Sequence, residues 1–211
     1  MPLFKKRTRT CGELRASHIG KTVTLTGWVN TRRNLGGLVF IDLRDRYGKT
    51  QVVFDPKKNL ALHELAGTLR SEYVVSVTGI VEHRPDGMVN SEMVTGEVDV
   101  VASELTILNK AETPPFEIDD DIDASEDIRL KYRYLDLRRP SVLQNLIFRH
   151  KMYQLVHRYF DELNFIEVET PVLMKSTPEG ARDYLVPSRV QRGKFYALPQ
   201  SPQTYKQILM V

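Results

Sequence analysis

The chain has 211 residues, a formal net charge of +3 and a pI of about 8.9, with 41% hydrophobic and 27% charged residues. That composition suits a globular protein with a core of its own and excludes collagen-like and low-complexity chains. A single cysteine, Cys11, excludes an internal disulfide, no Cys/His cluster has metal-ligand spacing, and no stretch is apolar enough to span a bilayer. A reduced, cytoplasmic setting is the simplest expectation. Lys5, Lys6, Arg7 and Arg9 precede no apolar run, so the start does not read as a secretory signal. The mild positive charge favours polyanions, with an ordinary solvated basic surface as the plainer alternative.

Residues Thr22 to Asn30 alternate, with Val23, Leu25, Gly27 and Val29 on one face and Thr22, Thr24, Thr26 and Trp28 on the other, which is a strand period. Arg32 to Gly37 reads as a turn holding two arginines and two glycines. A second strand follows over Leu38 to Arg44 and a third over Thr50 to Phe54, separated by Tyr47-Gly48. Asp55-Pro56 breaks the third. Leu62, Leu65 and Leu69 then recur at helical spacing within Asn59 to Arg70. A fourth strand is expected over Tyr73 to Arg84, ended by the Pro85-Asp86-Gly87 turn, and a fifth over Glu97 to Leu108. Three strands, a helix and two further strands is the order of an OB-fold, a five-stranded Greek-key barrel that often binds oligonucleotides.

Thr113-Pro114-Pro115 and the acidic residues Glu117, Asp119, Asp120, Asp121 and Asp123 read as a solvated linker over 111–130. Beyond it a second domain is expected from 131 to 211. Ser141 is a possible N-cap for a helix over Val142 to Leu163, ending near Asn164. Ile166 to Val168 should start a strand that meets Pro171. Arg182 to Val186 and Lys194 to Leu198 resemble a hairpin around Arg192-Gly193. Ser201-Pro202 reads as the N-cap and first residue of a last helix, and a chain that stops inside that apolar run is expected to be truncated.

On the second strand, Val39, Ile41 and Leu43 alternate towards the core, which leaves Phe40, Asp42 and Arg44 outward. An outward Phe near Arg32 and Arg33 suits stacking on an unpaired base, worth about 1–3 kcal/mol per base. The alternative is that Phe40 packs under a loop or against the second domain. Trp28 reads as a structural residue at the barrel rim. In the second domain, Gln203 and Lys206 are three apart and share a helix face. A helix start with a Lys one turn in suits a carboxylate, and a nearby Glu could hold an ammonium, so a free acidic amino acid would fit. A solvated Lys206 is the plainer alternative.

The segments Thr26-Gly27-Trp28-Val29, Phe40-Ile41-Asp42-Leu43-Arg44-Asp45, Arg133-Tyr134-Leu135-Asp136-Leu137-Arg138, Thr177 to Arg189 and Phe195 to Gln203 resemble bacterial aspartyl-tRNA synthetases, members of the class II aminoacyl-tRNA synthetases. The first three are shared with asparaginyl and lysyl enzymes. Pro178 to Pro187 together with Gln200-Ser201-Pro202-Gln203 is specific to the aspartyl type. The resemblance implies an α+β multidomain chain, with a five-stranded OB-fold anticodon-binding barrel over 1–110. A hinge over 111–130 would follow, then the truncated start of a class II antiparallel-sheet catalytic domain. It implies an aspartate–tRNA ligase using ATP and Mg²⁺, with aspartate tRNA and aspartate as partners, acting as a homodimer.

Residue by residue, the resemblance implies that Phe40 stacks on an anticodon base while Arg33, Gln51, Arg84 and Asp99 approach base edges or backbone. At position 99 the family pattern leads one to expect Glu, one methylene longer. RNA is read in this way because unpaired bases expose their Watson–Crick edges. Glu179 would hold the substrate ammonium, and Ser201, Gln203 and Lys206 would bind aspartate, with Lys206 on the β-carboxylate. The helix from Val142 and the strand to Pro171 would be motif 1, the dimer segment. Motifs 2 and 3, which carry the ATP-binding arginines, are not present before Val211. No catalytic residue is therefore expected within the chain, and it would be inactive alone. The other readings are a non-catalytic OB-fold RNA-binding module, a ligase that also charges asparagine tRNA, or a related ligase for asparagine or lysine.

Overall fold

The computed structural model describes residues 5–85, 87–176 and 180–210. Its contacts divide the chain into two units, Met1–Asn145 and Leu146–Val211.

The first unit is built on a closed five-stranded barrel. Its strands are β1 (Thr22–Leu35), β2 (Leu38–Asp45), β3 (Gly48–Phe54), β4 (Val74–His83) and β5 (Val98–Asn109), in the spatial order β1-β2-β3-β5-β4. The first strand is long because it serves two partners. Thr22 to Trp28 pair with β4, and Trp28 to Leu35 pair with β2 beyond a bulge between Val29 and Thr31. A bulge bends a strand and raises its twist, as closure requires. Closure is completed by a short parallel contact between β3 and β5, Val52 opposite Val100 and Val53 opposite Val101.

Alternation decides what fills the barrel. Val23, Leu25, Val29, Val39, Ile41, Leu43, Val52, Phe54, Val75, Val77, Val81, Val98 and Val100 are all buried in one cluster. The helix α1 (Leu60–Gly67) starts from Asn59, whose side chain accepts from Leu62 N at 3.0 Å, and contributes Ala66 to the same core. At Gly27 two strands approach so closely that a Cβ would lie 2.3 Å from the Arg44 carbonyl oxygen.

The turn expected over Arg32 to Gly37 is shorter than the composition suggested. Arg32 and Arg33 belong to β1, and only Gly36 and Gly37 turn, with φ of 59° and 80°. Two successive positive φ angles form the two-residue hairpin whose twist matches its flanking strands, so the pairing runs on to the tip.

The acidic segment is less solvated than its composition predicts. Phe116 and Ile118 are buried, and Arg139 donates to the carbonyls of Asp119 and Asp120 at 2.7 and 3.2 Å. After it come α2 (Glu126–Lys131), α3 (Arg133–Asp136) and α4 (Pro140–Glu162). The side chain of Asp136 is fully buried and accepts from both Arg133 and Arg139. Ser141 is not the N-cap of α4. The helix opens at Pro140, and Asp120 accepts from the Ser141 amide at 3.1 Å and from its hydroxyl at 2.6 Å. Proline suits a first helical position because its missing N–H would be orphaned there anyway.

In the second unit α4 ends where expected. Asn164 takes a left-handed φ of 61°, and the Phe165 amide donates back to the Phe160 carbonyl at 3.0 Å. This is the usual way to satisfy a helix's last carbonyls. The strand expected at Ile166 to Val168 does not form, since no other strand among the described residues pairs with it. The hairpin is β6 (Tyr184–Pro187) with β7 (Phe195–Leu198), turning through Gly193 at φ 73°. The last helix, α5 (Gln203–Ile208), begins one residue later than expected, and its N-cap position is Pro202, with no side-chain cap. Among the described residues of this unit only Met174 and Ala197 are buried. Phe148, Leu155, Tyr159 and Leu163 of α4 are all exposed.

Candidate nucleic-acid interface

One outward face of the barrel gathers most of the residues singled out for RNA. Strand alternation puts Phe40, Asp42 and Arg44 on the side of β2 away from the core, and Phe40 is half-buried. The register sets Arg33 of β1 opposite Phe40, and Gln51 of β3 opposite Asp42. Arg33 donates to Asp42 at 2.9 Å and to Gln51 at 3.1 Å. One strand further on, Asp99 of β5 accepts from Arg84 Nε at 2.7 Å. The five residues expected to contact RNA thus lie along a single band that crosses β1, β2, β3 and β5. Asp42, which spacing placed outward but did not mark as a site residue, joins Arg33 to that band. Its signal was its position two residues beyond Phe40.

The Arg84–Asp99 pair is the buried end of the band, with Arg84 4% and Asp99 8% exposed. Burial pushes the Asp99 carboxyl above its ordinary value. Arg84 and Gln51 draw it back, and the charge of Asp42 raises it again. Arg84 uses only one of its donors on the carboxylate. Its Nη2 is buried and has no hydrogen-bond partner among the described residues. A guanidinium commonly grips a carboxylate with two parallel N–H bonds. A buried donor left empty costs roughly 1–3 kcal/mol.

At the other end of β2 a second polar cluster is structural. Glu72, 7% exposed and at a left-handed φ of 65°, accepts from Arg44 Nη2 at 2.6 Å and Arg138 Nη2 at 2.7 Å. The Arg138 guanidinium lies 4.1 Å over the Trp28 ring. Trp28 is thus a packing residue at the rim, as its place in the strand suggested. A cleft of about 300 Å³ beside it is bounded by Trp28, Tyr47, Lys49, Arg138 and Leu143.

The residues expected to bind aspartate are less completely assembled. Gln203 and Lys206 share α5, Ser201 precedes it, and all three are exposed. The amide of Ala181 donates to the Gln200 side chain at 3.4 Å, which brings the loop at Gly180 beside the Ser201 segment. Glu179 lies outside the described residues. Pro171 is exposed and outside any strand. Among the described residues no group of three or more His, Cys, Asp or Glu side chains could hold a metal ion, and no helix is long and apolar enough to cross a membrane.

A closed OB barrel with a reading band, followed by this second unit, defines the class. Residues 23–108 match the OB-fold nucleic acid binding domain, and residues 125–211 match the class II tRNA synthetases (D, K and N). The chain is 61% identical over 205 residues to the aspartate–tRNA(Asp/Asn) ligase of Oleidesulfovibrio alaskensis, covering 97% of this chain and 34% of that protein. It is 59% identical over 206 residues to that of Desulfatibacillum aliphaticivorans, covering 98% and 34%. The chain belongs to this ligase family, and it spans about a third of the length of these relatives. Among solved structures, its fold is like that of asparaginyl-tRNA synthetase from Pyrococcus horikoshii complexed with asparaginyl-adenylate. The TM-score is 0.81 at 24% identity, covering 98% of this chain and 45% of that one. Aspartyl tRNA synthetase from Entamoeba histolytica is similar at a TM-score of 0.76 and 22% identity, covering 97% and 43%.

Proposed function

We propose that these 211 residues supply the anticodon reading and part of the aspartate site of an aspartate–tRNA ligase. The whole protein would activate aspartate with ATP and transfer it to the 3′ end of aspartate tRNA in the cytoplasm. The observation that carries this reading is the band from Arg33 through Phe40 and Gln51 to Arg84 and Asp99. It sets a half-exposed aromatic among donors and acceptors on adjacent strands. Bases stack on such a ring, and neighbouring polar groups distinguish their edges.

In this reading Lys206, with Ser201, Gln203 and Glu179, selects aspartate by charge. Asparagine would leave the Lys206 ammonium without a counter-charge, and sites built for one polar group strongly reject analogues lacking it. The exposed apolar residues of α4, with Pro171, are the surface for a homodimer partner. Class II tRNA synthetases in general use ATP and Mg²⁺, but the described residues assemble no metal site, so no step through either is assigned to this chain. The 211 residues alone would bind RNA without forming aspartyl-adenylate. A second reading, charging of asparagine tRNA as well, is favoured by the relatives, named as ligases for both tRNAs.

The test is binding of the chain to the aspartate tRNA anticodon stem-loop at fixed salt, against loops with each anticodon base changed. Fixed salt matters because phosphate contacts dominate raw affinity. The cognate loop should bind best, and Phe40→Ala should lose about 1–3 kcal/mol of that binding. Equal binding of all loops would leave only a general RNA grip. Comparable affinity for the asparagine loop would support the dual reading.

A further inference from the structure

We propose that Arg84, and not Asp99, makes the base contact at the buried end of the band, and that Asp99 is a positioning residue that holds Arg84 for it. The inference rests on the anticodon-reading function above and assigns the roles within that site.

Three observations support it. The Asp99 carboxylate is already engaged, accepting from Arg84 Nε at 2.7 Å, and it is 8% exposed. Aspartate is short, and a carboxylate tied at this distance to a group behind it cannot extend to a base without breaking the pair. Arg84, in contrast, is held by one donor and has another to spare. Its Nη2 is buried without a partner among the described residues, where a two-pronged grip on Asp99 would have used it. Unsatisfied buried donors are rare enough that each needs an explanation, and a ligand acceptor is one. The surroundings also decide what kind of acceptor. Asp99 is paired beside it, and the charge of Asp42 is felt at the same carboxyl. Two carboxylates would repel a phosphate, whereas a carbonyl oxygen or ring nitrogen on a base carries no such charge. The corner should therefore select a base that presents an acceptor rather than an exposed amino group.

The experiment is a double-mutant cycle read out as base preference. Arg84→Gln, Asp99→Asn and the double variant of the 211-residue chain are each titrated with anticodon stem-loops carrying all four bases at each anticodon position. Arg84→Gln should lose preference at one position by about tenfold, the discrimination of one good base contact, and leave the others intact. Asp99→Asn should flatten the same position, and adding it to Arg84→Gln should change nothing further, since it acts only through Arg84. A direct contact by Asp99 would instead alter preference at a different position, or add to the Arg84→Gln effect, and either result overturns the assignment. A uniform weakening across all loops would mean a backbone contact and would also overturn it. Single variants strand one buried charge, so urea midpoints are compared. The double variant removes both charges and keeps the cycle readable if a single one is unstable. If the unaltered chain shows no base preference anywhere, the anticodon reading itself fails. If it does show one and the cycle disagrees, only the Arg84 assignment fails.

Discussion

Glu72→Gln is the sharpest test of how the segment around Arg138 is fixed to the barrel. Glu72 holds two arginines at once, Arg44 at 2.6 Å and Arg138 at 2.7 Å, with its own side chain 8% exposed. Burial lowers the Arg138 pKa from its ordinary value, and Glu72 acts to hold it up. The substitution keeps the shape but removes the charge that both guanidinium groups need. Hydrogen bonds to charged groups contribute roughly 1.5–3 kcal/mol each. Breaking a buried ion pair by removing one partner costs roughly 3–5 kcal/mol. The arginine side chains are 14% and 28% exposed, so water can partly replace the lost acceptor. The loss should therefore fall near the low end, about 3 kcal/mol. Urea unfolding followed by Trp28 emission reads it directly, because Trp28 is the one tryptophan and stacks beneath Arg138 at 4.1 Å. A midpoint equivalent to less than about 0.5 kcal/mol of change, the size of an ordinary surface substitution, would refute the view that this cluster holds the segment in place.

Three further outcomes are expected. Asp120→Ala removes the acceptor of the Ser141 amide and hydroxyl and should destabilise the start of α4 by about 0.5–2 kcal/mol, measurable by amide exchange at its first turn. Gly27→Ala would drive a Cβ to 2.3 Å from the Arg44 carbonyl oxygen, so β1 and β2 must part, and thermal unfolding should show a loss of about 1–3 kcal/mol or more. Glu13 accepts from the Thr10 hydroxyl and amide and from Arg9, which lowers its pKa from 4.5 to about 2. A lowered acid stabilises the fold above its unfolded value and loses that contribution as pH falls from about 4.5 towards 2. Glu13→Gln should flatten this part of the stability profile.

How much of this was legible in the sequence depends on how local its cause is. The period-2 pattern of β2 places Val39, Ile41 and Leu43 inside, and by the same geometry places Phe40, Asp42 and Arg44 outside. The core and the reading band are thus two consequences of one alternation, and both could be read before any coordinates. Arg33 was assigned to a turn because arginines beside glycines look like a loop. Only the pairing with Phe40 across the hairpin reveals the strand. Glu72 was invisible for a stronger reason, since its partners Arg44 and Arg138 lie 28 and 66 residues away and nothing near it in sequence implies either. The strand expected at Ile166 to Val168 shows the converse limit. β-propensity describes a fit to a neighbour, and without a pairing strand the same residues stay extended and unpaired. The spare donor of Arg84 belongs with Glu72. An arginine in a sequence announces a charge, but which of its donors is already spoken for depends on a carboxylate 15 residues away across a strand pairing. That unpaired Nη2 is what divides the two residues into one that contacts RNA and one that holds it there.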